Sequence, residues 1–187
     1  RCLKAGVPVI SGTTGWLDRY EEAAALCEKT GGAFLYASNF SLGVNLFFEL
    51  NKVLARLMDH APGYEAEIEE IHHTRKQDAP SGTAISLAEG ILENHASYSE
   101  WKAGDAPGKA LPVYSKRIGD TPGTHTVRYE SAVDRIDIVH TAHNREGFAK
   151  GALFAAAWIR DLVDRMAVLT DWVALAHQAV WEAEHGL

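Results

Sequence analysis

The chain has 187 residues, of which 47% are hydrophobic and 23% charged, and its formal net charge is −7. It can bury one ordinary core or two small ones, and its composition is that of a soluble globular protein. The acidic balance argues against nucleic-acid binding, and no apolar run reaches membrane-spanning length. Two cysteines, Cys2 and Cys27, give no disulfide framework, which favours a reduced, cytoplasmic setting.

The first forty residues predict a strand, a helix and a second strand. Residues 7–10 form a short apolar run that ends in a Gly- and Thr-rich turn, which is typical of a buried parallel strand. Helical spacing follows over residues 18–29, and residues 33–37 are again apolar. We interpret this part as the rear of a Rossmann-like dinucleotide-binding domain whose amino-terminal part is missing.

The middle of the chain predicts two helices around one strand. A helix over residues 41–60 has five apolar residues on one face, as an amphipathic helix does: Leu46, Leu50, Val53, Leu54 and Leu57. Residues 65–72 alternate as a strand does, and Ser81 is placed to cap a helix that runs to about residue 94. Residues 97–110 are rich in Gly, Ala and Pro and predict a loop.

The last third predicts an antiparallel sheet followed by helices. Three runs with partial alternation, residues 113–119, 125–131 and 135–143, are separated by turn residues, so we expect them to be antiparallel. Helices are predicted at residues 147–166 and 170–184.

The predicted fold class is α/β plus α+β. Residues 1–40 are the dinucleotide-binding remnant, to which a carboxyl-terminal helix returns. Residues 41–165 form a substrate-binding and oligomerisation domain with a mixed or antiparallel sheet, and residues 166–187 form a helical extension.

The segment from Glu70 to Ala84 gathers histidines, a lysine and a helix start. A shared metal ion is disfavoured, because the adjacent His72 and His73 point to opposite faces of a strand. One alternative is an ordinary connection between strand and helix. The other is an anion pocket, because unpaired amides at the helix start and the charge of Lys76 would bind a carboxylate beside a proton-exchanging histidine.

Two loops follow the predicted parallel strands along one sheet edge. Residues 11–15 read Ser-Gly-Thr-Thr-Gly, and residues 37–41 read Ala-Ser-Asn-Phe-Ser. Cofactors bind at the carboxyl ends of strands in open α/β sheets, so two such loops favour a ligand crevice there.

The segment EIHHTRKQDAPSGTA, residues 70–84, strongly resembles the signature of the 4-hydroxy-tetrahydrodipicolinate (dihydrodipicolinate) reductases. Gly12–Gly15, residues 38–44, residues 119–126 and residues 148–152 are similar to later landmarks of that family. The family's phosphate-binding loop has no counterpart here, and the ending also differs.

The resemblance implies NADH- or NADPH-dependent reduction of a small cyclic dicarboxylate in lysine and diaminopimelate biosynthesis, by a cytoplasmic homotetramer. It implies that His72 and Lys76 are catalytic, that His73, Gly82 and Thr83 bind substrate, and that no metal takes part. The implied cofactor-binding residues are Gly12, Thr13, Thr14, Ala37, Ser38, Asn39 and Phe40.

Two alternatives stay open on the sequence. The chain could be a truncated or degenerate homologue that binds a dicarboxylate or assembles without catalysing. A semialdehyde dehydrogenase has a similar two-domain plan but needs a nucleophilic cysteine, and neither Cys2 nor Cys27 stands in such a context.

Overall fold

The computed structural model describes residues 1–13, 15–161 and 168–169, and the chain divides into two compact units. The first unit joins Arg1–Asn45 to the chain from Glu146 onward, and the second is Leu46–Arg145. The second unit ends at Arg145 and not at the expected residue 165, because the helix that begins at Glu146 packs within the first unit. None of the helices in the described ranges is both long and apolar enough to span a membrane.

The first unit contains a parallel sheet of three short strands. Strands β1 (Val9–Ser11) and β2 (Phe34–Tyr36) pair in parallel. Helix α1 (Tyr20–Thr30) lies between them in the sequence. The strand–helix–strand order predicted from the sequence is therefore confirmed. β2 also pairs in parallel with a two-residue strand, which is the last strand among the described residues and is numbered β8 (Val168–Leu169). Apart from β8, the predicted extension and its helix at residues 170–184 lie outside the described residues.

Helix α4 (Glu146–Asp161) completes the core of the first unit. Its Ala155 and Ile159 are buried in one apolar cluster with Ala33, Leu35 and Phe40. The helix approaches the loop after β2 so closely that a Cβ on Gly151 would lie 1.8 Å from the carbonyl oxygen of Phe40. A glycine is therefore required at that point of the helix.

The second unit is built on a five-stranded mixed sheet in the order β4-β5-β3-β6-β7. Its central strand, β3 (Glu65–His72), pairs in parallel with β5 (Ala110–Arg117) and antiparallel with β6 (Thr124–Glu130). β6 and β7 (Arg135–Thr141) form an antiparallel pair. The expectation that all three late runs are antiparallel is wrong for β5, because the long crossover after β3 returns the chain in the same direction.

The segment predicted as a loop contains another strand, β4 (Glu100–Ala103), which pairs in parallel with β5. It was missed because it is a four-residue edge strand. Only Trp101 packs against the core, so the segment lacks a repeating apolar pattern.

Helices α2 (Leu42–Met58) and α3 (Gly82–Leu92) supply the helical side of this core. The apolar face of α2 noted from the sequence is mostly exposed, with Leu50 and Leu57 retaining 51% and 64% of their surface. Over residues 46–58, the buried positions are instead Phe47, Asn51, Ala55 and Met58. Asn51 explains part of the difference, because its amide donates a 2.9 Å hydrogen bond to the carbonyl of Leu87 in α3. A polar residue thus lies on the core-facing side.

Candidate active site

Glu70 stands at the centre of a buried polar cluster in the second unit. It occupies an inward position of β3 and is fully buried. Its Oε1 accepts a 2.7 Å hydrogen bond from Ser115 Oγ, and the main-chain N–H of Ser81 lies 3.1 Å from both carboxylate oxygens. The guanidinium of Arg117 lies 3.4 Å from Oε1. These groups satisfy a buried negative charge.

Two imidazoles face the other oxygen of this carboxylate. Nδ1 of His72 lies 3.4 Å and Nε2 of His125 lies 3.7 Å from Oε2 of Glu70, and the two rings meet edge to face at 5.0 Å. Burial raises the pKa of Glu70, but the two imidazoles and the hydrogen bonds from Ser81 and Ser115 outweigh it and hold that pKa well below its usual value. Burial lowers the pKa of His125 despite its contact with Glu70. The cluster is therefore an anion between two imidazoles, of which His125 is kept neutral.

Glu70, His72 and His125 also present three potential metal ligands, whose ligand atoms lie within 4.8 Å of one another. From the sequence, the adjacent His72 and His73 were the residues considered as metal ligands. The structure instead brings His72 together with His125. Both oxygens of Glu70 already accept hydrogen bonds, and the cationic Arg117 is beside them. This donor pattern stabilises a carboxylate held by protein groups, and a metal ion would have to displace those bonds.

Lys76 lies in the turn after β3, where its position is fixed from two sides. Its Nζ donates to both carboxylate oxygens of Asp78, at 2.7 and 2.8 Å. This ammonium lowers the pKa of Asp78. Arg117 donates to the carbonyl oxygens of Lys76, at 3.3 Å, and of Asp78, at 2.6 Å. The cation predicted to meet an anionic ligand is thus held on a turn anchored to β5.

The amino terminus of α3 is built as the sequence predicted. Ser81 is its N-cap, with extended backbone angles and a side-chain oxygen that accepts a 3.2 Å hydrogen bond from the N–H of Ala84. Gly82 and Thr83 form the first turn. A Cβ on Gly82 would meet nothing within 4 Å, so an incoming group has room to approach the backbone there. This end of the helix favours an anion through its main-chain N–H groups and its dipole.

His73 turns away from His72, as expected for neighbours on a strand. Its Nε2 accepts a 2.9 Å hydrogen bond from Arg145. Because an arginine only donates, His73 accepts as a neutral imidazole. Burial lowers the pKa of His73, and the charges of Arg145 and Arg75 act in the same direction.

The proposed cofactor residues lie in the first unit, on the loops that follow β1 and β2. The N–H of Ala37 donates to the carbonyl of Ser11 at 3.2 Å, and a Cβ on Gly12 would lie 3.4 Å from the ring of Phe40. The two loops therefore meet at the carboxyl ends of adjacent parallel strands, which is where a dinucleotide binds in such sheets. Thr13, Ser38 and Asn39 lie on the same loops, and Thr14 falls outside the described residues.

Several members of this site were not predicted from the sequence: Glu70, Ser115, Arg117, His125 and Arg145. Glu70 alone carried a usable signal, because it is a carboxylate at an inward position of an alternating strand. Ser115, Arg117 and His125 enter only through strand pairing between distant segments. Arg145 follows the last strand of this sheet and enters through its hydrogen bond to His73.

Three comparisons with known proteins agree with this architecture. The profile of the family described as "Dihydrodipicolinate reductase, C-terminus" matches residues 43–172. The 4-hydroxy-tetrahydrodipicolinate reductase of Christiangramia forsetii is 53% identical over 86% of this chain and 67% of its own length. The chain belongs to the dihydrodipicolinate reductase family.

Other members are similar over a comparable share of their length. The 4-hydroxy-tetrahydrodipicolinate reductase of Methanococcoides burtonii is 40% identical over 84% of this chain and 60% of its own. The dipicolinate-bound dihydrodipicolinate reductase of Paenisporosarcina sp. TG-14 has a similar fold, with a TM-score of 0.66 and 24% identity over 88% of this chain and 66% of that one. The chain thus spans about 60 to 67% of the length of these two curated relatives, from Christiangramia forsetii and Methanococcoides burtonii.

Proposed function

We propose that this protein, in its full-length form, reduces 4-hydroxy-tetrahydrodipicolinate to tetrahydrodipicolinate in lysine and diaminopimelate biosynthesis, with NADH or NADPH as reductant. The names of its relatives support a reductase. The observation that carries the proposal is the linkage of three parts by Glu70 and Arg117. Their contacts join the His72 imidazole, the Lys76 turn and the start of α3.

The proposed substrate is a small cyclic dicarboxylate, whose carboxylates need cationic or amide donors. Lys76 is proposed to hold one carboxylate, and the main-chain amides of Gly82 and Thr83 the other. His73 is proposed to contact the substrate as well. The relative from Paenisporosarcina is described as bound to dipicolinate, which supports this substrate class.

The proton steps are assigned to His72 and Lys76. The substrate first loses its hydroxyl as water, and hydride addition to the resulting unsaturated cyclic imine then places negative charge on the ring next to the carbon that accepts the hydride. That charge must be quenched by a proton. His72 is proposed to supply it, and Lys76 to donate a proton and stabilise the developing charge. The side chain of His72 keeps 10% of its surface exposed, so the ring has a free side for this role.

The residues proposed to hold the nicotinamide cofactor are Gly12, Thr13, Thr14, Ala37, Ser38, Asn39 and Phe40. The cofactor, when bound, supplies the hydride. The protein's part is to present the main chain of two touching loops at the ends of β1 and β2, with Gly12 keeping that edge free of a side chain. The choice between NADH and NADPH is left to measurement.

We propose a cytoplasmic homotetramer. Both cysteines are free, with Cys2 exposed and Cys27 buried, which suits a reducing compartment. Strand β7 is a sheet edge and exposes Ile136 and Val139 at 38% and 56%, which suits contact with another copy. Light scattering on the full-length protein as it elutes from a size-exclusion column measures its mass and tests whether it is a tetramer.

An assay with purified full-length protein tests the activity. Oxidation of NADH or NADPH is followed by absorbance after the cyclic imine dicarboxylate is added. We expect His72→Gln or Lys76→Ala to lower kcat by about 10² to 10⁴. The exposed His60→Gln and Lys102→Ala serve as matched controls that keep full activity. Binding of the dicarboxylate without any oxidation of NADH or NADPH would overturn the proposal in favour of a non-catalytic homologue.

A further inference from the structure

The ring of His72 is asymmetric in its surroundings. Its Nδ1 is buried and lies 3.4 Å from Oε2 of Glu70, without a hydrogen bond of good geometry. The surface that the ring keeps must therefore come from its other atoms. Its Nε2 lies toward Gly123, where an added Cβ would stand 3.2 Å away. The absence of a side chain at Gly123 leaves space beside Nε2.

Glu70 contacts His72, the start of α3 at Ser81, and Arg117 of β5. One oxygen accepts bonds from Ser115 and Ser81 and lies near Arg117, so the carboxylate is fixed before it meets the imidazole. Ser81 is also the N-cap of α3, which carries the proposed carboxylate-binding amides. A single buried side chain thus sets the distance between the proposed proton donor and the proposed anchor of the substrate.

We propose that Glu70 is a positioning residue whose carboxylate keeps the proton of His72 on Nδ1. The other ring nitrogen of His72, Nε2, is then the atom that exchanges a proton with the substrate. This inference rests on the proposed function. Glu70 itself touches no reacting atom. It selects the tautomer of His72, holds the ring in place and stabilises the imidazolium when His72 is protonated.

None of the other described groups around His72 offers an unpaired negative charge that could hold its Nδ1 proton. His125, which meets the ring edge to face, is held neutral by burial and contributes no negative charge. Asp78 is paired with Lys76. The titratable and charged groups that face this part of the site come from β3, its following turn, β5 and β6: Glu70, Lys76, Asp78, Arg117 and His125.

The first test is Glu70→Gln in the full-length protein, which keeps the shape of the side chain and removes its charge. We expect kcat to fall on the order of 10- to 100-fold, with KM for the dicarboxylate nearly unchanged. The limb on which the rate falls with rising pH should move to lower pH, because imidazolium loses its neighbouring anion. Glu70→Asp, which keeps the charge, should retain that limb.

The matched control is Glu69→Gln. This residue is next along β3, but it faces the other side of the sheet and pairs with Lys116 at 2.5 Å. It should leave both the rate and the pH profile unchanged. A Glu70→Gln profile that keeps the wild-type pH limb, or an equal shift in Glu69→Gln, would overturn the inference.

A second measurement needs neither turnover nor a substituted protein. The nitrogen chemical shifts of isotope-labelled histidine in the wild-type protein report which ring nitrogen holds the proton. We expect neutral His72 to be the Nδ1–H tautomer, and finding the Nε2–H tautomer would refute the inference. Because the reading does not use the reaction, it stays decisive if the proposed function fails.

Discussion

Arg117 of β5 donates a 2.6 Å hydrogen bond to the main-chain carbonyl of Asp78, in the turn that follows β3. The same guanidinium donates to the carbonyl of Lys76 and lies 3.4 Å from Glu70. Its side chain is only 20% exposed. One arginine therefore ties the turn that carries Lys76 to the buried carboxylate beneath it, and no single hydrogen bond within the turn does this.

We expect Arg117→Ala to raise KM for the dicarboxylate at least about tenfold, because the Lys76 turn would lose two hydrogen bonds of ~1.5–3 kcal/mol each and a tenfold change needs only ~1.4 kcal/mol. Steady-state kinetics of the full-length protein measure this. Lys116→Ala is the matched control, since Lys116 is adjacent but pairs with Glu69 on the other face of the sheet. An unchanged KM in Arg117→Ala would show that the turn holds its shape without the arginine.

Asp78 and Lys76 form the closest ion pair of the proposed substrate site. Asp78 forms an ion pair with the ammonium group of Lys76, which is proposed to bind a carboxylate of the substrate. The negative charge of Asp78 also repels the dicarboxylate. We therefore expect Asp78→Asn to lower KM for the dicarboxylate by a few-fold at low salt, with less effect at high salt because the interaction is partly exposed. Asp105→Asn, a carboxylate bound to Tyr114 elsewhere, is the control. A higher KM in Asp78→Asn would mean that this carboxylate positions Lys76 and does not compete for it.

Much of the local structure of this site could be predicted from residues 65–84. The alternation over β3 places Ala66, Ile68, Glu70 and His72 inward, and all are buried. Ser81 was expected to cap α3, and its side chain does so. These features depend on contacts within a few residues, so one sequence contains the information for them.

The partners of Glu70 could not be predicted in the same way. Ser115 lies 45 residues and Arg117 lies 47 residues from Glu70 along the chain. They reach it only because β5 lies beside β3 in parallel, a pairing that the sequence pattern did not reveal. The exposed leucine face of α2 was misjudged for a similar reason. Periodicity identifies an apolar face, but the packing of Asn51 and Phe47 decides which face is buried.

His95 provides a pH dependence of stability that is separate from the proposed active site. It is buried at 6% exposure and stacks on Tyr129, and its Nδ1 lies 3.4 Å from Asp59. Burial lowers its pKa from the usual 6.5, and Asp59 only partly opposes this. The unfolded chain therefore takes up the proton at a higher pH than the folded one. The stabilisation from neutral His95 is fully present above pH 6.5 and is lost as pH falls below it.

Urea unfolding at about pH 7.5 and about pH 5.5 checks this expectation. The midpoint of the wild-type chain should fall at the lower pH, and the fall should be smaller in His95→Gln. The exposed His60→Gln should keep the wild-type difference. If the urea midpoint fell by the same amount between the two pH values in His95→Gln and in His60→Gln, the pH dependence would have to come from other groups.

Gly151 tests the packing that supports the proposed cofactor loop within the first unit. A Cβ there would lie 1.8 Å from the carbonyl oxygen of Phe40 and 2.7 Å from its carbon, so backbone would have to move. We expect Gly151→Ala to lower the free energy of unfolding by ~1–3 kcal/mol, although alanine is the better helix former. Gly147→Ala is the control in the same helix, because its Cβ would meet Ser41 Oγ at an ordinary 3.4 Å.

Because Phe40 belongs to the loop proposed to hold the cofactor, Gly151→Ala should also weaken NADH or NADPH binding. Calorimetry on the folded full-length variant measures this, and Gly147→Ala should bind as the wild type does. A destabilised Gly151→Ala with wild-type affinity would separate the two roles. It would leave α4 as a support for the fold and remove Phe40 from the cofactor site.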